Sequence, residues 1–256
     1  MREAARLAFS LLTVAPVGPG RMDRQTAGPA MRLAPLVGAA VGLAAGVVLF
    51  VGTLLGLPGL VVGVAGVGTL ALVTRGLHLD GLADTADGLG CYADAERALD
   101  VMKAPDVGPF GVVTLLLVGV AQAGCLAALT DCSLLPTLVV PVLAAATGRL
   151  AITWACRPGI PAARPEGLGA LVAGTVPLTA AVGIALVLGA LAAVGTGVAG
   201  QGVLRGPLAV AAGLGVGWAL VRHCVRRFGG VTGDVFGAAS EAATTVALAV
   251  LVAAPA

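Results

Sequence analysis

Long apolar runs separated by short polar interruptions dominate the chain. Residues 33–74 carry no charged side chain and are broken near the middle by Pro58 and Gly59. A bilayer core about 30 Å thick takes roughly 20 residues of helix, so this run predicts two membrane spans joined by a turn. The same criterion predicts spans over 107–130, 132–156 with Arg149 inside it, 168 to about 194, 206–221 and 235–254. The uncharged stretch 168–204 overfills one helix, and its glycine-rich end, GTGVAGQG, reads as a loop. The pattern therefore gives seven spans. Ahead of them, Glu3, Arg6, Ser10 and Thr13 fall along one helical face while Leu7, Leu11, Leu12 and Val14 cover much of the rest. That predicts a helix lying in the membrane interface rather than a cleaved signal.

Composition agrees with the pattern: 58% of residues are hydrophobic and mean hydropathy is +1.02, outside the range of ordinary soluble domains. The expected fold class is all-α, a polytopic integral membrane protein with about seven transmembrane helices plus an N-terminal interfacial amphipathic helix. One membrane-embedded domain over 1–256 is expected. The 39 glycines allow close helix approach but single out no face.

Charge orients the bundle. Alternating spans put the N-terminus and loops 75–106, 157–167 and 222–234 on one side, and that side holds every Lys and Arg except Arg149 and Arg205. Basic loops favour the cytoplasm, so a multi-pass protein of the cytoplasmic (inner) membrane is expected, with its N-terminus inside. A net charge of +2 gives no ground for nucleic-acid binding. The five cysteines show no paired metal-ligand spacing and no disulfide framework, and no long-period repeat is visible.

Acidic residues concentrate in HLDGLADTADG, residues 78–88. On a helix Asp80, Asp84 and Asp87 follow i, i+4, i+7 spacing and share an arc of about 60°. Like charges so placed repel, and no Lys or Arg lies between them. In contrast, Asp94, Glu96 and Asp100 interleave with Arg97 and Lys103, the pattern of a solvated amphipathic helix. Carboxylates without a Cys or His cluster favour a hard ion such as Mg²⁺. Gly81, Ala83 and Gly88 leave space beside the acids or serve helix packing. Magnesium held this way usually completes its shell with water and phosphate oxygens, which points to phosphate transfer. The plain alternative is a charged face at the membrane surface.

A second basic-side loop, RHCVRRFGGVTGD at 222–234, offers phosphate partners: Arg222 with Arg226, and His223 with Arg227, are i, i+4 pairs. Positive-inside topology alone would also put arginines there. Gly229, Gly230, Thr232 and Gly233 could expose backbone amides in an anion-binding nest, and Asp234 is a metal ligand or a helix cap. His78 is a candidate base by its ordinary pKa, although on an ideal helix it points nearly opposite the aspartates. A structural hydrogen-bonding role suits it as well. Arg149 and Glu241 each lie seven residues from a predicted helix end, about 10 Å deep at 1.5 Å per residue, and could pair there; separate snorkelling to the interface is the simpler alternative.

Four blocks, HLDGLADTADG at 78–88, MK…VGPFG at 102–111, ARPEGLG at 163–169 and GGVTGDVFGA at 229–238, with the seven-span layout, resemble the adenosylcobinamide-GDP ribazoletransferase (cobalamin 5′-phosphate synthase) family. The resemblance covers nearly the whole chain. It implies a membrane enzyme that joins adenosylcobinamide-GDP to α-ribazole or its 5′-phosphate and releases GMP, on the cytoplasmic side and with magnesium. The residues read above suit this chemistry: Asp80, Asp84 and Asp87 as magnesium ligands or, for one of them, general base, His78 as another candidate base, Asp234 as a further ligand, and Arg164, Asp106 and the 222–233 segment as substrate contacts. A homo-oligomer is compatible with it. One departure stands out: where many relatives carry Asp-Ser after the Met-Lys or Met-Arg pair, this chain has Ala104 and Pro105, with Asp106 following.

Two rival functions remain open to the sequence. CDP-alcohol phosphotransferases also use membrane-surface aspartates and magnesium, but their pattern wants Ala-Arg where Asp84 and Thr85 stand, and two later spaced aspartates. A carboxylate-based secondary transporter would hold its acids near the bilayer midplane within an inverted repeat, and no such repeat is visible.

Overall fold

The computed structural model describes residues 1–253; residue 254, the expected end of the last span, lies outside the described residues. Twelve α-helices occur in it, and no strand is formed among the described residues: α1 Arg2–Leu12, α2 Arg24–Arg32, α3 Ala34–Leu54, α4 Gly59–Val73, α5 Leu77–Gly90, α6 Ala95–Val101, α7 Pro109–Ala127, α8 Leu134–Ala155, α9 Gly167–Val172, α10 Leu178–Val198, α11 Arg205–Phe228 and α12 Gly233–Val252. Six are long and apolar enough to cross a membrane: α3, α7 with its 3₁₀ extension to Asp131, α8, α10, α11 and α12. The short α4 passes the same test only together with α5, into which it bends by 92°, so the count is six spans, or seven if this bent pair is one. Arg75 and Gly76 make that bend, both left-handed with φ of 54° and 68°. The protein is an all-α, multi-pass membrane protein.

Helix α8 runs through the middle, buried along most of its length and packed on α3, α11 and α12. Small residues permit this: at Gly42 of α3 an added Cβ would run into the Pro141 carbonyl of α8. Without a hydrophobic drive between helices in lipid, such close backbone packing carries association.

Three expectations about the elements need correction. The apolar face of α1 is not spread on lipid, since Leu7, Ala8 and Leu12 are buried in the protein's own core with α2 and α3. Its amphipathic pattern is satisfied by the bundle, and Thr13 leaves the helix in extended conformation at φ −146°. The span expected from 168 starts instead at Leu178, because Gly174 at φ 73° and Pro177 at the cap break the apolar run; residues 167–172 form the separate α9 beside the site. At its far end α10 continues to Val198, absorbing half of the glycine-rich segment assigned to a loop. In apolar surroundings the backbone must bond to itself, which outweighs the low helix propensity of glycine.

Helix α5 lies across one end of the bundle, packed on the first turns of α7 and α12. Gly81 makes this possible, since an added Cβ would sit 2.7 Å from the Asp234 carbonyl oxygen and 2.8 Å from its Cα. Gly81→Ala is expected to cost about 1–3 kcal/mol through overpacking against backbone that cannot yield, read as a lower midpoint of thermal unfolding of the purified protein. Gly68→Ala on α4, where the added methyl meets open space, should leave the midpoint unchanged or raise it, as alanine is the better helix former.

Candidate active site

The α5–α12 contact brings two acidic segments together. Asp80, exposed on α5, and Asp234, in the first turn of α12, line one cavity of about 300 Å³. Asp84 stands one turn further along α5. Its carboxyl is pushed up to about 7 from 3.8, first by burial, then by the charges of Asp80, Asp234 and Asp87, with Arg164 alone pulling the other way. Repulsion expected from the spacing of the acids is thus present, and it includes an acid from a helix 150 residues away.

The cavity has a polar end and an apolar end. Arg164, Glu166, Thr232 and Gly233 join the acids at the first; Leu11, Leu12, Met31, Ile152 and Phe236 form the second. Thr232 caps α12: its Oγ1 accepts from the Val235 amide at 3.3 Å and donates to Asp234 Oδ2 at 3.0 Å. The N-terminus of this 20-residue helix therefore opens on the cavity, where unpaired amides and the helix dipole favour an anion. Arg164 is fixed by donating from Nη2 to the Leu99 carbonyl at 2.5 Å, while its buried Nε has no hydrogen-bond partner.

Several expected site residues stand elsewhere. Asp87 is buried, and both its oxygens are taken by α7: Oδ2 accepts from the Gly108 amide at 2.7 Å and Oδ1 from the Gly111 amide at 2.9 Å. It anchors the start of α7 to α5, a capping role. Asp106 is exposed and shares a different cavity, on the other flank of α5, with Asp87, Arg97 and Asp100.

The basic cluster is also corrected. Helix α11 continues past the expected end at 221 to Phe228 and terminates at Gly229 with φ 78°, a left-handed stop that suits glycine. This carries Arg222 and Arg226 out along the helix, both exposed and away from the acidic cavity's lining. Arg227 is committed to the carbonyls of Cys91 and Ala93, each at 2.8 Å. Gly230 packs on the backbone of Ala162 and Ala163, and the Val231 amide donates to the Pro161 carbonyl at 2.9 Å. Of the expected nest, Thr232 and Gly233 face the cavity; Gly229 and Gly230 do not.

His78 is buried in the cavity floor. Its Nδ1 lies 3.5 Å from Arg149 Nη2, and since a guanidinium only donates, Nδ1 accepts and the proton sits on Nε2, which has no partner. Burial, and next the Arg149 charge, hold its pKa well below the usual histidine value. A ring so placed is a poor proton acceptor, which corrects the expectation of a base and leaves the structural role.

Arg149 and Glu241 are both buried, but the expected pair is not formed: the ion pairs within 4 Å among the described residues are Arg6–Glu3 and Arg21–Asp23. Glu241 instead accepts from Gln122 Nε2 at 2.8 Å, and the same nitrogen donates to Thr245 Oγ1 at 3.0 Å. A polar core thus lies beneath the cavity. Gln122 passed unnoticed in the sequence, although a lone amide in the apolar stretch of α7 was a usable signal.

Fold and site define a class: a polytopic membrane protein with an acidic, anion-receptive cavity at one end of its helical bundle. The particular family follows from sequence comparison. The cobalamin-5-phosphate synthase family pattern matches residues 4–252, and the chain belongs to that family. It is 45% identical to the adenosylcobinamide-GDP ribazoletransferase of Frankia casuarinae, over 98% of this chain and 96% of that one. It is 44% identical to the protein of the same name from a Nocardioides species, over 97% of each. The Bradyrhizobium diazoefficiens protein of that name is 36% identical over 96% and 91%. No solved structure matches the chain.

Proposed function

We propose that the protein transfers the adenosylcobinamide-phosphate group of adenosylcobinamide-GDP to α-ribazole or α-ribazole 5′-phosphate, releasing GMP, at the face of the inner membrane that looks into the cytoplasm. The observation that carries this reading is the meeting of Asp80 and Asp234 with Arg164 and the α12 N-terminus at one cavity, with Asp84 one turn along α5 feeling the charges of all three. Opposed charges meeting at one end of a cavity suit an ester of diphosphate. A volume of about 300 Å³, at the small end for ligand sites, takes phosphates and one nucleoside and leaves the corrin ring outside.

Asp80, Asp84 and Asp234 would hold a magnesium ion. No three Asp, Glu, His or Cys side chains among the described residues are grouped so as to hold a metal by themselves, so water and substrate oxygens would have to supply much of the ion's shell. The raised carboxyl of Asp84 is the structural reason to place a cation there: negative charge accumulates with one arginine to offset it. When bound, the ion neutralises charge on the diphosphate. The ribose 3′-hydroxyl attacks the phosphorus attached to cobinamide, the bond to the GMP oxygen breaks, and the hydroxyl proton passes to a carboxylate. Arg164 and the α12 amides meet the charge that develops on departing GMP.

The direct test is purified protein in liposomes with adenosylcobinamide-GDP, α-ribazole and magnesium, measuring GMP and cobamide. Absence of GMP release, or uptake of substrate into vesicles without it, would overturn the reading.

Metal binding should depend on pH. An aspartate with a folded value of about 7 keeps its proton between the unfolded value near 4 and pH 7, so a cation must displace that proton in this window. Apparent magnesium affinity is expected to rise with pH to about 7 and level off above it, about tenfold weaker at pH 6 than at pH 8. Calorimetry in two buffers of different ionisation heat checks the proton release; a flat affinity across the window contradicts it.

A further inference from the structure

We infer that Trp154, Arg157, Trp218 and Arg222 form a seat for the phosphate headgroup of an anionic phospholipid. Arg157 follows the end of α8, and its guanidinium lies between the chain's two tryptophans, 4.5 Å from the Trp154 ring centroid and 3.9 Å from that of Trp218. Arg222, one turn further along α11, stands 6.0 Å from Trp218. The aromatic faces hold the cation in place but give it no counter-charge. Neither arginine belongs to the ion pairs found among the described residues; Arg157 is half-buried, with its Nη1 shielded and without a hydrogen-bond partner, and Arg222 is exposed. A guanidinium stays charged and offers five donors in a fork that matches phosphate.

Depth supports a lipid over a soluble anion. Trp218 is the last aromatic of α11 before its charged turns begin at Arg222, and Trp154 closes the apolar part of α8. Tryptophans at such a boundary sit at headgroup level, and exposed Val216 continues the surface toward the acyl chains. The seat lies apart from the acidic cavity, which none of its four residues lines.

Because these are the chain's two tryptophans, intrinsic fluorescence reports on the seat alone. The wild-type protein would be placed in phosphatidylcholine nanodiscs doped at equal low mole fraction with acyl-brominated phosphatidylglycerol or with equally brominated phosphatidylcholine. Charge attraction to one arginine predicts about fivefold local enrichment of the anionic lipid, hence distinctly stronger quenching by the brominated phosphatidylglycerol. The excess should shrink with added salt and vanish in Arg157→Gln with an unchanged helical circular-dichroism spectrum. Equal quenching by the two lipids in the wild-type protein, an excess insensitive to salt, or an excess that survives in folded Arg157→Gln would each overturn the assignment.

Discussion

Asp84→Asn is expected to lower GMP release by about 10³-fold or more, the scale seen when a group that stabilises or drives the transition state is removed, while the chain stays inserted and folded. The amide matches the carboxylate in size, so packing of α5 on α12 through Gly81 is undisturbed. What disappears is the negative charge that would meet the cation. Stability moves the other way. Metal-free wild-type protein holds Asp84 among Asp80, Asp234 and Asp87, whose charges oppose its ionisation, so the neutral amide should leave the unfolding midpoint in magnesium-free buffer unchanged or higher above pH 7. The same substitution should abolish the pH dependence of magnesium affinity. Loss of activity with a lowered midpoint would instead mark Asp84 as structural, and near-normal turnover would remove it from the site.

The two acidic groups were legible to different degrees, for physical reasons. Asp80 and Asp84 repeat at helical spacing without intervening cations, a local property that survives folding. Asp87 fits the same spacing, yet its oxygens are claimed by amides 21 and 24 residues later, a tertiary fact with no local trace. Six passages could be read because the bilayer imposes a length on each apolar run, with the bent α4–α5 pair as the candidate seventh, whereas the start of α10 was displaced by Gly174 and Pro177, whose breaks an uncharged-run criterion ignores. Arg222, Arg226 and Arg227 looked like the phosphate wall by number and spacing. Spacing gives the face of a helix but not how far the helix runs, and α11 carries them beyond the cavity. Arg164 reaches the acids because residues 161–163 are pinned to Val231 by backbone hydrogen bonds, a tertiary contact that the sequence does not announce. The apolar wall from Leu11 and Leu12 was equally hidden, since α1 reads as a membrane-surface helix until its burial is seen.

Arg164→Ala should therefore cost more than any substitution in the basic turns of α11: about 10²–10³-fold in kcat/KM for the GDP substrate, the range for loss of one charge-stabilising donor. The main chain holds one guanidinium nitrogen at Leu99, and the buried Nε is left unpaired. An unsatisfied buried donor on a charged group is expensive, and an anion entering the cavity would relieve that cost, a favourable interaction that exists only with substrate present. Arg164→Lys keeps the charge but loses the fork that grips Leu99 and phosphate together, so it should recover part of kcat/KM and remain at least about tenfold below wild type. Arg226→Ala, exposed and outside the cavity, should fall within about twofold of wild type, as expected of a solvated arginine. If Arg226→Ala proves as damaging as Arg164→Ala, the α11 turns reach the diphosphate after all and the cavity is not where it sits. If Arg164→Ala also lowers the unfolding midpoint strongly, then the tether to Leu99, rather than contact with phosphate, accounts for its loss.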